Sequence, residues 1–220
     1  MKRFLYNNSL SIVVFAIFVL AIFGMSLAGW QSNNESLKEH HEPPLAYGSY
    51  LVSSEFGEGV FENWESEFLQ MGALVVLTIF LRQKGSADSK SLRGGSPQDT
   101  SSRYSIIRAS TWRQRKKATG HFFYRHSLSL AMLALFVLSF SLHALEGASA
   151  YNEEAVQHHS PTTSVLDYIV SSQFWYESLQ NWQSEFLAIG TLLVLSIKLR
   201  QAGSPESKPV GKKYDQTTGE

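Results

Sequence analysis

The order of apolar and polar stretches along the chain predicts helices that cross a membrane. Residues 9–27 and 127–145 contain no Asp, Glu, Lys or Arg. Each is about long enough to cross a hydrocarbon core of ~30 Å, which takes ~20 helical residues. Two shorter apolar runs, 68–81 and 186–199, follow polar helical turns that would extend them to the membrane interface. The pattern predicts an all-α integral membrane protein with four spans.

The four spans come from an internal repeat. Positions 118 residues apart correspond from Ser9 and Ser127 to Lys90 and Lys208, with about 37 identities in 82 positions. NWESEFL at 63–69 corresponds to NWQSEFL at 181–187, and each motif leads into an apolar run that stops at Leu-Arg-Gln. Such self-similarity predicts a four-helix bundle made of two tandem transmembrane hairpins that point the same way. The predicted parts are a first hairpin repeat (1–90), a basic cytoplasmic linker (91–125), a second hairpin repeat (126–208) and a disordered tail (209–220).

Short segments precede the second helix of each hairpin. Residues 47–54 and 165–172 place Tyr50 and Tyr168 among polar neighbours, which predicts interfacial helices on the outer leaflet. The serine pairs that end these segments are expected to cap the helix that follows. Pro43 and Pro161 should stop any helix that enters from the preceding side.

Charge predicts the orientation of the spans. Of the 19 Lys and Arg residues, only Lys38 lies in the segments 30–66 and 147–183, which are rich in Glu. Because Lys and Arg near membrane spans stay on the cytoplasmic side, both termini and the central loop are expected inside. The composition of residues 1–28 also fits a cleaved signal peptide, but the matching internal segment favours a retained span. Cysteine is absent, so cysteine usage does not indicate whether the protein lies in an oxidising or a reducing compartment.

The second half of the linker combines basic and aromatic residues just before a span. This composition predicts contact with anionic lipid at the cytoplasmic face, worth ~1 kcal/mol per basic residue. Nucleic-acid binding is the alternative, and no recognised module supports it. The residues expected at the lipid surface are Arg108, Trp112, Arg113, Arg115, Lys116 and Lys117.

Glu67 and Glu185 lie where their helices enter the apolar runs. A carboxylate at membrane depth is costly and usually faces the bundle interior or water. Asn63 and Asn181 precede them by four residues and share their helix faces. These four residues are a candidate ion or proton site. The competing interpretation is that the carboxylates mark the outer boundary of the bundle, beside tryptophan anchors.

His143 and Glu146 form a second candidate, three residues apart near the outer end of the third span. The pair could relay protons or supply half of a metal site. Its counterparts in the first copy are Met25 and Ala28, so the pair breaks the symmetry of the repeat. A polar contact at the interface is the structural alternative.

Paired histidines lie in both outer loops, beside glutamates. Imidazole and carboxylate ligands suit Zn²⁺ or Cu²⁺, although adjacent histidines point in different directions. The candidate ligands are His40, His41, His158 and His159. A solvated loop is the alternative. No sequence motif points to a cofactor or to a catalytic constellation.

FENWESEFLQM at 61–71, NNSLSIV at the start of the first span and SLAGW at 26–30 resemble an uncharacterised family of bacterial membrane proteins, catalogued as a domain of unknown function. The resemblance covers 9–90 and 127–208, and the first copy matches more closely. It implies a bacterial membrane protein and carries no activity. Together with the predicted spans and charge layout, it leads us to expect a multi-pass protein of the bacterial inner membrane. We expect a non-enzymatic structural or interaction protein, with a small ion- or proton-linked transporter or channel as the alternative and a homo-oligomer as a further option.

Overall fold

The computed structural model describes residues 2–86, 89, 90, 92, 123 and 126–213. These residues form seven helices and no strand, which confirms the predicted all-α class. The helices are α1 (Lys2–Asn7), α2 (Ser9–Glu39), α3 (Tyr47–Tyr50), α4 (Ser54–Phe80), α5 (Ser127–Gln157), α6 (Val165–Ile169) and α7 (Ser172–Lys198).

Two of the described helices, α2 and α5, are long and apolar enough to cross a membrane by length and composition. Both continue well beyond their apolar stretches, because the polar residues that follow contain no helix breaker before Pro43 and Pro161. Each helix therefore has an apolar first part and a polar last part. The apolar side chains of α2 are largely exposed, as expected of a helix whose solvent is lipid.

The two long helices end with the same hydrogen-bonded turn. The amide of Glu42 donates to the carbonyl of Leu37 at 2.8 Å, and that of His41 donates to Lys38 at 3.2 Å. This pair of bonds is a Schellman motif, which requires a left-handed residue just after the helix. His41 has φ of 61°. His159 takes the same position after α5 with φ of 53°, so one local structure closes both helices.

The loop after each long helix is also held in the same way. Asn34 accepts from the amide of Leu45 at 2.6 Å and donates to its carbonyl at 3.1 Å. Asn152 does the same to Thr163, at 2.7 Å and 3.0 Å. The asparagine thereby returns the chain to the polar end of its own helix and satisfies backbone groups that the loop would otherwise leave unpaired.

The short helices α3 and α6 fall inside the segments predicted as interfacial helices. The serine caps predicted after them are present: the hydroxyl of Ser171 accepts from the amide of Phe174 at 3.2 Å, and that of Ser53 accepts from Phe56 at 3.4 Å. Each cap starts a helix of 27 residues, α4 or α7, which contains an NWxSEFL motif.

The chain divides into two compact units. Unit 1 contains Met1–Phe61 and Leu142–Ile169, and unit 2 contains Glu62–Ser141 and Val170–Glu220. Unit 1 holds α2, α3, α6, the polar part of α5 and the first turns of α4. Unit 2 holds the rest of α4, the apolar part of α5 and α7.

An aromatic cluster lies in unit 2. Phe174 is fully buried and meets Phe140 edge-to-face at 5.1 Å between ring centroids. Trp182 lies 6.3 Å from Phe136 and 6.1 Å from Trp175. Edge-to-face pairs at these distances add ~0.5–1.5 kcal/mol each beyond burial, so the cluster contributes to the stability of this unit.

Candidate functional site

His143 and Glu58 come together in unit 1. The imidazole of His143 is completely buried, and one of its ring nitrogens lies within 4.8 Å of a carboxylate oxygen of Glu58. The hydroxyl of Tyr168 donates to Oε1 of Glu58 at 3.3 Å. A buried imidazole beside a carboxylate can hold a proton between them, and the two groups offer a nitrogen and an oxygen to a cation.

Glycines allow these side chains to approach one another. A Cβ added at Gly147 would lie 2.8 Å from the ring and the hydroxyl of Tyr168 and 3.0 Å from Oε1 of Glu58. A Cβ at Gly57 would lie 2.9 Å from Cγ of Glu146. At Gly147 a Cβ would clash with the buried ring of Tyr168, and at Gly57 the side chain of Glu146 would have to move, so both glycines leave room for the side chains that meet there.

The predicted pair His143 and Glu146 therefore lies against the start of α4. His143 is next to Glu58, and Glu146 packs on Gly57, the residue that precedes Glu58. The sequence analysis did not select Glu58. The repeat holds a signal for it, because Met25, Ala28 and Tyr176 stand where the other copy has His143, Glu146 and Glu58. Each of the three residues is an imidazole or a carboxylate found in one copy alone.

A second carboxylate of unit 1, Glu55, lies in the first turn of α4, outside the apolar stretches. The amide of Asn33 donates a hydrogen bond to it. Burial raises the pKa of Glu55 above its ordinary value, the Asn33 bond opposes that rise, and the negative charge of Glu153 adds to it.

In unit 2, polar contacts join the described residues of α4 to those of α7. The amide of Asn181 donates to Oε1 of Glu62 at 2.5 Å, and the indole of Trp182 donates to Oε1 of Glu65 at 2.9 Å. The amide of Gln70 donates to the backbone carbonyl of Glu185 at 2.9 Å. We call these three contacts the α4–α7 ladder. Glu65 is completely buried, so its bond to Trp182 is made away from water.

The four residues of the first candidate site lie within unit 2. Asn63 and Glu67 are exposed, whereas Asn181 and Glu185 are half-buried. Asn181 takes part in the ladder through its side chain, and Glu185 takes part through its carbonyl. The convergence of Glu67 and Glu185 on one ion stays a prediction.

The paired histidines separate into two roles. The rings of His40 and His158 meet edge-to-face at 5.7 Å between centroids. His41 and His159 are the left-handed residues that close the two helices. The Nδ1 atom of His40 lies 2.9 Å from the carbonyl of Ser36. The structure thus brings one histidine from each loop together, and metal binding by the four stays a prediction.

The six residues expected at the lipid surface lie outside the described residues. No curated protein and no solved structure matches this chain. A family model described as a domain of unknown function, DUF6766, matches residues 1–220. The chain therefore belongs to the DUF6766 family, a family of proteins whose function is unknown.

Proposed function

We propose that this protein is a non-enzymatic, multi-pass protein of the bacterial inner membrane that conducts protons or small cations by way of His143 and Glu58. The membrane part of the proposal uses two tandem hairpins with four spans, with both termini and the basic linker in the cytoplasm on anionic lipid. The span-like length and composition of α2 and α5 support it. At 1.5 Å per residue the 27 residues of α4 and of α7 would reach about 40 Å, enough for a tilted span.

One observation carries the proposed activity: the complete burial of His143 beside the Glu58 carboxylate. A buried ionisable group is costly to keep without a partner. In membrane proteins such groups usually pair with one another and mark ion or proton pathways. Protonation of His143 would neutralise the Glu58 carboxylate, and loss of that proton would leave a negative charge for a cation. Tyr168 holds Glu58 in place in either state through its hydroxyl.

A structural or interaction role is the second candidate, and the α4–α7 ladder favours it. The polar groups of the ladder are engaged in bonds between helices, as expected of groups that fix a bundle. An ion site at Glu67 and Glu185 is a variant of the first proposal. The exposure of Glu67 makes it a weaker candidate than the buried His143.

The test is ion flux into proteoliposomes loaded with a pH-sensitive dye, under an imposed proton or cation gradient. The wild-type protein should give flux above that of empty vesicles. His143→Met, which installs the residue found at the equivalent position of the first copy, and Glu58→Gln should each reduce the flux at least tenfold.

Glu67→Gln and Glu185→Gln are the matched controls, because each also removes one carboxylate from a long helix. Their flux should equal that of the wild type. Loss of flux in these two variants, with flux retained by His143→Met, would move the site to Glu67 and Glu185. Absence of proton, Na⁺ and K⁺ flux with folded wild-type protein would overturn the proposed activity and favour the structural role.

A further inference from the structure

A cavity of about 590 Å³ lies in unit 1, beside the polar end of α2. One face of the helix forms its wall, with Trp30, Gln31, Asn34, Glu35 and Lys38, and Glu42 and Pro44 of the following loop complete it. The spacing of the five helix residues places them on a single face. The volume falls within the usual range for small-molecule sites, about 300–1,000 Å³.

Charges of both signs line this cavity. Lys38 is the only Lys or Arg in the segments 30–66 and 147–183. Within the part of the chain that the structure describes, neither its ammonium nor the carboxylates of Glu35 and Glu42 make a hydrogen bond or an ion pair. One cation and two anions therefore face the same space with their hydrogen-bonding capacity available to a ligand.

Trp30 and Asn34, which also line the cavity, are held in place by hydrogen bonds that do not involve the three charged side chains. The indole nitrogen of Trp30 donates to the carbonyl of Leu45 at 2.7 Å, and its ring meets Tyr47 edge-to-face at 5.6 Å. Asn34 makes both of its bonds to the same Leu45. A fixed aromatic surface and a fixed loop lower the ordering cost of binding. An indole face is also the best aromatic partner for an ammonium ion.

The second copy keeps the scaffold of this cavity and only one of its three charges. Asn152 repeats the bonds of Asn34, and Glu153 matches Glu35. Ala148, Val156 and Ser160 stand where the first copy has Trp30, Lys38 and Glu42. Trp30, Lys38 and Glu42 are therefore not needed to close this loop, since the second copy closes its own without them.

We infer that this cavity, which we call the Trp30–Lys38 pocket, binds a small zwitterion that carries a primary ammonium group and an oxyanion. Lys38 binds the oxyanion, and Glu35, Glu42 and the face of Trp30 bind the ammonium. The side-chain amide of Gln31 can donate a hydrogen bond to the oxyanion or accept one from the ammonium group. A free amino acid and the phosphoethanolamine headgroup of a lipid both have this chemistry. The pocket begins at Trp30, where the apolar part of α2 ends, so both sources can reach it.

The inference is tested by isothermal titration of the full-length, detergent-purified protein with glycine and with O-phosphoethanolamine. Acetate and ethylamine, which carry one charge each, are the probe controls. At least one zwitterion should bind at submillimolar concentration and at least tenfold more tightly than both controls. Lys38→Val, which installs the residue of the second copy, should weaken that binding at least tenfold. Val156→Lys, the reverse exchange in the second copy, should leave it unchanged.

The lipid source is tested with nanodiscs that contain phosphatidylethanolamine or phosphatidylcholine, by native mass spectrometry of retained lipid. Selective retention of phosphatidylethanolamine, lost in Lys38→Val, supports the lipid headgroup as the ligand. Binding of a soluble zwitterion supports a free solute. The inference is overturned if no zwitterion binds in either format, if acetate binds as tightly, or if Lys38→Val binds like the wild type. Circular dichroism of each variant verifies folding.

Discussion

At the scale of single residues, two glycines decide how closely the short helices approach the long ones. Gly29 in α2 and Gly147 in α5 occupy equivalent positions, and the tyrosines that lie on them, Tyr50 and Tyr168, are equivalent as well. Both tyrosines are almost fully buried, at 4% and 1% exposure. The glycine is needed because the tyrosine hydroxyl lies where a Cβ would project. The tyrosine side chain therefore packs into the space that the glycine leaves.

Gly29→Ala should therefore destabilise the protein. The added methyl group would clash with the hydroxyl of Tyr50, and overpacking of this kind costs about 1–3 kcal/mol. Gly24→Ala is the matched control in the same helix. Nothing lies within 4 Å of its added Cβ, and better helix propensity should make it neutral or stabilising by up to ~1 kcal/mol. Unfolding in a denaturing detergent, followed by circular dichroism, measures both free energies.

A double variant separates the clash from a general effect of the methyl group. Tyr50→Phe removes the hydroxyl and should restore part of the stability lost in Gly29→Ala. Equal stability of Gly24→Ala and Gly29→Ala would contradict the close packing. The repeat marked both glycines and both tyrosines as matching positions, but the sequence did not show that they touch. That contact depends on the turn that folds α3 back onto α2, and the turn is set by Asn34 and Leu45.

At the scale of elements, neighbouring residues in the chain determine where helices begin and end, whereas the pairing of helices depends on contacts between distant residues. The serine caps and the short helices before α4 and α7 could be predicted, because the residues that decide them are neighbours in the chain. The α4–α7 ladder could not be predicted. It uses Glu62, Glu65 and Gln70 of the first copy, and its register depends on how two distant helices pack.

The ladder also uses residues by which the two copies differ. Gln180, Gln183 and Ala188 of α7 are the counterparts of Glu62, Glu65 and Gln70 of α4. Glu62 and Glu65, the carboxylates of α4 that accept hydrogen bonds from α7, therefore have neutral amides as their counterparts in α7. At these two positions the exchange avoids a second carboxylate near the first, whose repulsion would be costly away from water.

Trp182→Phe tests the ladder. The change keeps an aromatic ring in the cluster and removes the indole N–H that donates to the buried Glu65 carboxylate, so we expect a loss of about 1–3 kcal/mol. Trp175→Phe is the control within the same cluster, at a tryptophan that is 40% exposed, and it should cost less. Thermal unfolding in detergent, followed by circular dichroism, compares the two. An equal loss of stability in both variants would show that ring packing causes the effect and that the hydrogen bond to Glu65 does not contribute.

At the scale of the whole molecule, the question is whether α4 and α7 cross the membrane. Only α2 and α5 of the described helices meet the length and composition criteria for a span. α4 and α7 combine a polar first half with an apolar second half, and the polar half contains the NWxSEFL motif. Sequence periodicity alone cannot decide between a span and a surface helix for such segments, because the decision depends on what covers the polar half.

The absence of cysteine allows a direct test, because each engineered cysteine is the only thiol of its variant. Gln157→Cys and Ala202→Cys are exposed positions at the end of α5 and just after α7. If α7 crosses the membrane, these two thiols lie on opposite sides. A membrane-impermeant maleimide applied to right-side-out spheroplasts should then label the cysteine at 157 and spare the one at 202. Disruption of the membrane with detergent should make both react.

The same pair distinguishes the two arrangements, because α6 and α7 are the only described helices between these positions. With four spans, the basic residues that follow α7 lie with the linker on the cytoplasmic side, as the distribution of Lys and Arg requires. With α7 on the membrane surface, positions 157 and 202 would share a compartment and label alike. That outcome would also place Arg200, Lys208 and Lys212 outside, against the charge rule, and would reject the four-span arrangement.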